Sequence, residues 1–206
     1  MFLRLIGALA FLSLSGVAPV VAQSREPVRP VDLNRYLGRW YEQGRYEQSF
    51  QRGCEGVTAD YSLRSDGKIR VLNTCRQGAA NGPAKTAEAT ASVVEGSGGS
   101  KLKVTFFWPF EGDYWVLDHA PDYSWSIVGE GSGAYLWLLT RSRTISEERY
   151  RQLATRAASL SPSGPSRSSV MRVLATGAMA LTLMPLERPS LASTRVKPTR
   201  PSLAAP

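Results

Sequence analysis

Histidine and cysteine are scarce in this chain, with one His and two Cys in 206 residues. His119 stands alone between Asp118 and a proline-containing turn and reads as an ordinary exposed turn residue. Together with Cys54 and Cys75 it is poor material for a structural zinc site, and the CxxC spacing of a redox dithiol is absent. A catalytic constellation needs a nucleophile with its base, a metal, or paired carboxylates, and none is legible. No glycine-rich loop follows a strand and opens a helix, since Gly96 to Ser100 joins two predicted strands. These absences leave no catalytic residue, no metal ligand and no cofactor, and argue for binding without turnover.

Charge excludes another class. Of the net +8, +5 lies in residues 161–206 and +1 at Arg4, which leaves +2 for residues 23–160. The body is nearly neutral, so the basic balance belongs to the tail and the chain reads as no nucleic-acid binder.

Long apolar runs are also missing. Residues 1–22 hold one charge, Arg4, then an apolar run and the small-residue end Val20-Val21-Ala22, which reads as a secretory signal too short to span a membrane. No cysteine near that cut offers a lipid-anchor site. Export to the periplasm or an outer-membrane-associated position follows, and an oxidising compartment lets Cys54 and Cys75 pair. A loop of about 20 residues closed in this way restricts the unfolded chain by roughly 3 kcal/mol. Residues 23–160 form the folded domain. From Ser161 the composition shifts to Ser, Pro, Arg, Ala and Leu without sustained periodicity, which reads as a disordered basic tail, peripheral membrane association being the less favoured reading.

What is present is strand periodicity. Asp32 caps a short turn, and Gly38 is the hinge into a first strand over 39–47. Residues 57–64 and 69–74 alternate apolar and polar about Asp66-Gly67, the signal of a hairpin. A simple two-residue turn leaves the cysteines out of register, so a longer turn or a bulge absorbs the offset. Further strands are read at 85–94, 101–108, 114–117, 125–128 and 135–140, with 109–113 a turn. Eight short strands joined by tight turns indicate an antiparallel up-and-down barrel or a sandwich. Strand 135–140 is apolar on both faces. Thr144 and Glu147 make a capping box for a following helix, whose stripe Tyr150, Leu153, Ala154, Ala157 and Leu160 covers that strand's outer face.

The segments Gly38-Arg39-Trp40-Tyr41-Glu42, the Cys-bounded hairpin, Phe106 to Phe110, Asp122-Tyr123 and Tyr135 to Arg141 followed by Thr144-Ile145-Ser146 resemble the lipocalins, and within them the bacterial group related to apolipoprotein D. The resemblance covers about residues 31–160. It implies an all-β, eight-stranded antiparallel up-and-down barrel with one C-terminal α-helix, and Arg141 packed across Trp40 at the closed end. Gly38, Trp40, Asp122, Tyr123 and Arg141 are then the structural motif. With Trp137 pointing inward as the family implies, the ligand-binding candidates are Tyr46, Tyr61, Phe106, Tyr114, Trp125, Tyr135, Trp137 and Leu139. The expected partner is a small hydrophobic or amphiphilic lipid, such as a fatty acid or lysophospholipid, carried or stored in the envelope by a monomer or homodimer. An enzyme acting on a bound lipid or isoprenoid needs an interior polar group such as Glu42, Asn73 or Glu111. A third reading makes the protein an envelope interaction protein using its basic tail.

Overall fold

The first strand starts where a glycine frees the backbone. In the computed structural model, which describes residues 25–160 and the backbone of Met171–Val173, Asp32 accepts from the Asn34 amide at 3.0 Å and caps a single helical turn, α1 (Leu33–Tyr36). Gly38 then takes φ +92°, a left-handed conformation that a Cβ disfavours. It opens β1 (Gly38–Tyr46). The expected signal segment and the rest of residues 161–206 lie outside the described residues.

Seven strands follow: β2 (Cys54–Leu63), β3 (Ile69–Gln77), β4 (Ala84–Val93), β5 (Lys101–Phe107), β6 (Phe110–His119), β7 (Trp125–Gly129) and β8 (Leu136–Thr140). Each pairs with the next, and β1 pairs with both β8 and β2, so the sheet closes into an eight-stranded antiparallel barrel. Closure leaves the barrel no free edges along its length. A three-residue strand, β9 (Met171–Val173), attaches to β1 at Gly44–Tyr46, beyond the stretch that β2 occupies. Thus one short piece of the expected tail is a strand on the barrel wall.

β6 begins at Phe110, not at Tyr114 as its glycine and acidic residues suggested. Glu111, Gly112 and Asp113 stay in register opposite Thr105, Val104 and Lys103, and the Lys103–Asp113 ion pair holds the ladder together. In the β2–β3 hairpin the turn spans residues 64–68, and a bulge between Glu55 and Thr58 brings Cys54 opposite Gln77. The Cys54–Cys75 disulfide therefore runs diagonally across the pair, with Cα atoms 5.2 Å apart.

Helix α2 (Glu147–Ser159) starts at Ser146, whose hydroxyl accepts from the Arg149 amide. Thr144 is not the cap. Glu147 and Glu148 fill the first turn, where carboxylates suit the helix dipole. Leu153, Ala154 and Ala157 pack against Leu117, Ile127, Leu136 and Leu138, so the helix covers the outer face of β6–β8 as its stripe required. Asp118 fixes this docking: its buried carboxylate takes Arg156 at 2.8 Å and Arg29 of the lead-in at 3.0 Å.

His119 is buried and not an exposed turn residue. Its ring stacks on Tyr123 at 4.3 Å, and its nitrogens face the carbonyls of Ala120 and Pro30. The lead-in folds back over this turn, which local sequence does not reveal.

Candidate ligand-binding site

Register decides which side chains share the barrel interior. Trp40 lies opposite Ala59, Ala59 opposite Asn73, and Asn73 opposite Ala87, so these four face one way. On the same face Tyr61, Val71 and Ala89 form one row, and Ile69, Ala91, Val104 and Gly112 another. Val116, Val128, Trp137 and Arg45 continue it on the far wall, with Ser126, Leu139 and Glu42 below them.

The closed end is built on Trp40. Its indole is fully buried and donates to the Tyr36 carbonyl at 2.9 Å. The Arg141 guanidinium lies 3.8 Å over the ring and donates to the carbonyls of Arg35, Tyr36, Leu37 and Arg39. One cation thus serves the indole face and the open carbonyls at the end of α1. The middle motif closes the same end: Asp122 accepts from the Ser124 amide, and the Tyr123 hydroxyl accepts from the Asp32 amide at 2.7 Å. Arg35 lies 4.5 Å over the Tyr123 ring.

Just inside, hydroxyls form a chain. Tyr61 bonds Tyr114 at 2.7 Å, Tyr114 bonds Tyr36 at 3.1 Å, and Tyr36 bonds Ser126 at 3.0 Å. Burial pushes Tyr36 up to about 12 and raises Tyr61 and Tyr114 as well. All three are neutral phenols at physiological pH.

Higher on the β1 wall lies an ion pair that the sequence did not suggest. Glu42 accepts from Arg45 at 2.9 Å and from Gln51 at 3.1 Å, and Arg45 also donates to the carbonyls of Gln51 and Cys54. Burial raises the Glu42 carboxyl against the opposing pull of Arg45. Trp137 donates to Gln51 at 2.8 Å, and its ring stacks on Tyr135 at 5.8 Å, which in turn meets Phe50.

Burial falls steadily from this floor to the opposite end. Along β5, Leu102 is 1% exposed, Val104 half-buried and Phe106 42% exposed. Along β4, Ala91 and Ala89 are buried while Ala87 is exposed, and on β6 Val116, Tyr114 and Gly112 follow the same progression. On these three strands the inward-facing side chains meet solvent only toward the end opposite Trp40. The wall on β4–β6 is lined by small and apolar residues.

The eight predicted ligand contacts divide accordingly. Tyr61, Tyr114, Trp137 and Leu139 share the interior, while Phe106 and Tyr135 stand at the rim. Tyr46 and Trp125 lie outside the wall, packed with the helix cluster. For Tyr46 the cause is a bulge between Glu42 and Gly44, which puts Gln43 outside and inverts the alternation, so that Arg45 points in and Tyr46 out. For Trp125 it is register: Ser126 lies opposite Leu139, so its neighbour faces outward. Asn73 is half-buried in the wall and Glu111 is exposed. Among the described residues no group of three or more His, Cys, Asp or Glu is placed to hold a metal.

An up-and-down barrel closed at one end by a Trp–Arg stack, open at the other and backed by one helix is the architecture of a small-molecule cup. The family model of the lipocalin-like domain matches residues 31–162, and the chain belongs to the lipocalin family. Within that family it is 44% identical over 124 residues to the outer membrane lipoprotein Blc of Vibrio cholerae, covering 60% of this chain and 72% of that protein. It is 38% identical over 139 residues to Blc of Escherichia coli, with 68% of this chain and 78% of that protein covered. Apolipoprotein D of Macaca fascicularis is 38% identical over 125 residues, 57% of this chain and 64% of that protein. Insecticyanin of the tobacco hornworm Manduca sexta shares the fold with a TM-score of 0.56 at 18% identity, over 76% of this chain and 87% of that one.

Proposed function

We propose that this lipid-binding lipocalin takes up a single-chain amphiphile, a fatty acid or lysophospholipid, in the barrel and releases it unchanged in the cell envelope. The observation that carries the reading is the burial gradient on β4–β6, where apolar side chains face inward yet stay open to solvent near the rim. Each methylene moved from water onto such a wall gains about 0.8 kcal/mol, so an acyl chain suits it while its polar head stays at the mouth. The envelope location is supported by the two relatives named outer membrane lipoproteins. Residues 1–22 act as the export signal. Turnover of a bound lipid or isoprenoid fits less well, because both oxygens of Glu42, the carboxylate buried on the inner face of the wall among the described residues, are engaged by Arg45 and Gln51.

Tryptophan fluorescence of the delipidated protein during titration with a fatty acid and with a lysophospholipid tests this reading. A saturable change is expected, lost in Trp137→Phe and kept in Trp125→Phe, whose ring lies outside the wall. No saturable response to either lipid, or a response that depends on Trp125 and not on Trp137, overturns it.

A further inference from the structure

The most exposed apolar cluster among the described residues is the β5–β6 hairpin end, where Phe107 is 79% exposed, Trp108 88% and Phe110 77%. Residues 104–110 carry no charge, and the nearest cation, Lys103, is paired with Asp113. Phe50, across the same open rim, is also exposed. Phe107, Trp108 and Phe110 belong to none of the hydrophobic clusters formed by the described residues.

We propose that this hairpin end docks the open rim onto a lipid surface, its aromatic side chains entering the interface between headgroups and acyl chains. Three arguments favour that occupant. Phenylalanine and tryptophan surface brings about 150–250 Å² per ring, so the three rings and the edge of Phe106 display roughly 500 Å². That is the upper range of patches on ordinary monomers, yet it falls short of the ~800 Å² per partner that a stable protein interface needs. The rings also sit on one narrow hairpin end, a shape that enters an interface better than it covers a facing protein. Finally, the patch is continuous with the inner wall: Leu102, Val104 and Phe106 form one apolar track from the buried floor to the exposed tip. A chain leaving a lipid surface would meet apolar contact throughout. The inference goes beyond the cup itself, and docking and ligand uptake fail separately.

Flotation of the full chain with vesicles of phosphatidylcholine alone, at about 0.1 M and about 0.5 M NaCl, tests the proposal. Wild type is expected to co-float equally at both salt concentrations. The partition coefficient should fall at least tenfold in Phe107→Ser/Trp108→Ser, whose replaced rings lie mostly in water. Trp108→Phe should restore binding relative to that variant, and vesicles with bromine-labelled acyl chains should quench Trp108 fluorescence in wild type. Titration with dissolved fatty acid should be unchanged in the double variant, which separates docking from occupancy of the cup. The proposal is overturned by absent vesicle binding, by equal binding of the double variant, or by binding that disappears at the higher salt, which would assign it to the basic tail. A concentration-dependent dimer of wild type that is lost in the double variant would also overturn it and assign the tip to a second copy.

Discussion

Arg141 is the side chain whose loss should cost the closed end most. It lies 3.8 Å above the Trp40 ring and donates to four backbone carbonyls from two nitrogens. A desolvated cation–π contact contributes about 1–2 kcal/mol, and hydrogen bonds from a charged donor about 1.5–3 kcal/mol each when isolated. The four bonds are not independent, however, and the half-buried guanidinium lets water replace part of them. We therefore expect Arg141→Ala to cost about 3 kcal/mol in all, a large share of an ordinary domain's 5–15 kcal/mol or so. Arg141→Lys keeps a charge near the indole but loses the planar fork, and should recover only about 1 kcal/mol. Urea unfolding of the disulfide-intact protein measures both. In thermal melts the alanine variant should shift by roughly 8–12 °C. A cost below about 1 kcal/mol for Arg141→Ala, or a lysine variant equal to wild type, would refute the view that fork geometry closes the barrel.

Asp118→Ala should destabilise by about 3 kcal/mol, because it leaves Arg29 and Arg156 without the buried carboxylate that ties lead-in and helix to β6; urea midpoints measure it. Alkaline titration should show late phenols: with folded values raised above the ordinary 10, to about 12 for Tyr36 and further upward for Tyr61 and Tyr114, the three contribute full stability below about pH 10, and the contribution is lost as pH rises through those raised values. Absorbance of phenolate with pH should therefore rise in step with unfolding for these residues, and independent ionisation near pH 10 in the folded state would contradict their burial. Ala87→Trp places a large ring on the exposed inner wall, so it should abolish fatty-acid binding while changing the thermal midpoint by only a few degrees. Retained affinity in that variant would mean the ligand lies elsewhere.

The parts of this fold that were legible are those fixed by neighbours in sequence. Gly38 before Trp40, the alternation around Asp66-Gly67 and the helix stripe from Tyr150 to Leu160 each carry a local rule, and each element formed where that rule put it. The cysteine pair was legible with its offset, because the hairpin limits where the two can meet. The misplacements have tertiary causes. One inserted residue at Gln43 reverses the facing of everything after it in β1, so Tyr46 and Arg45 exchange sides. His119 is covered by a lead-in segment 89 residues away. Trp125 belongs to a strand buried on both faces, where alternation carries no signal.

That same inversion explains why Arg45 meets Glu42 on the inner face of the wall. Burying Glu42 and Arg45 costs desolvation that their mutual attraction offsets only in part, so the pair is a weak source of stability. Its geometry points to another role. Arg45 reaches past Glu42 to the carbonyls of Gln51 and Cys54, and Glu42 holds the Gln51 amide, so the two residues pin both ends of the β1–β2 connection across the rim. Gln51 in turn accepts from Trp137, and Phe50 beside it meets Tyr135. The bulge thus converts a strand residue into an anchor for the loop at the mouth. The position of the rim aromatics is set from inside the wall, which keeps the entrance formed.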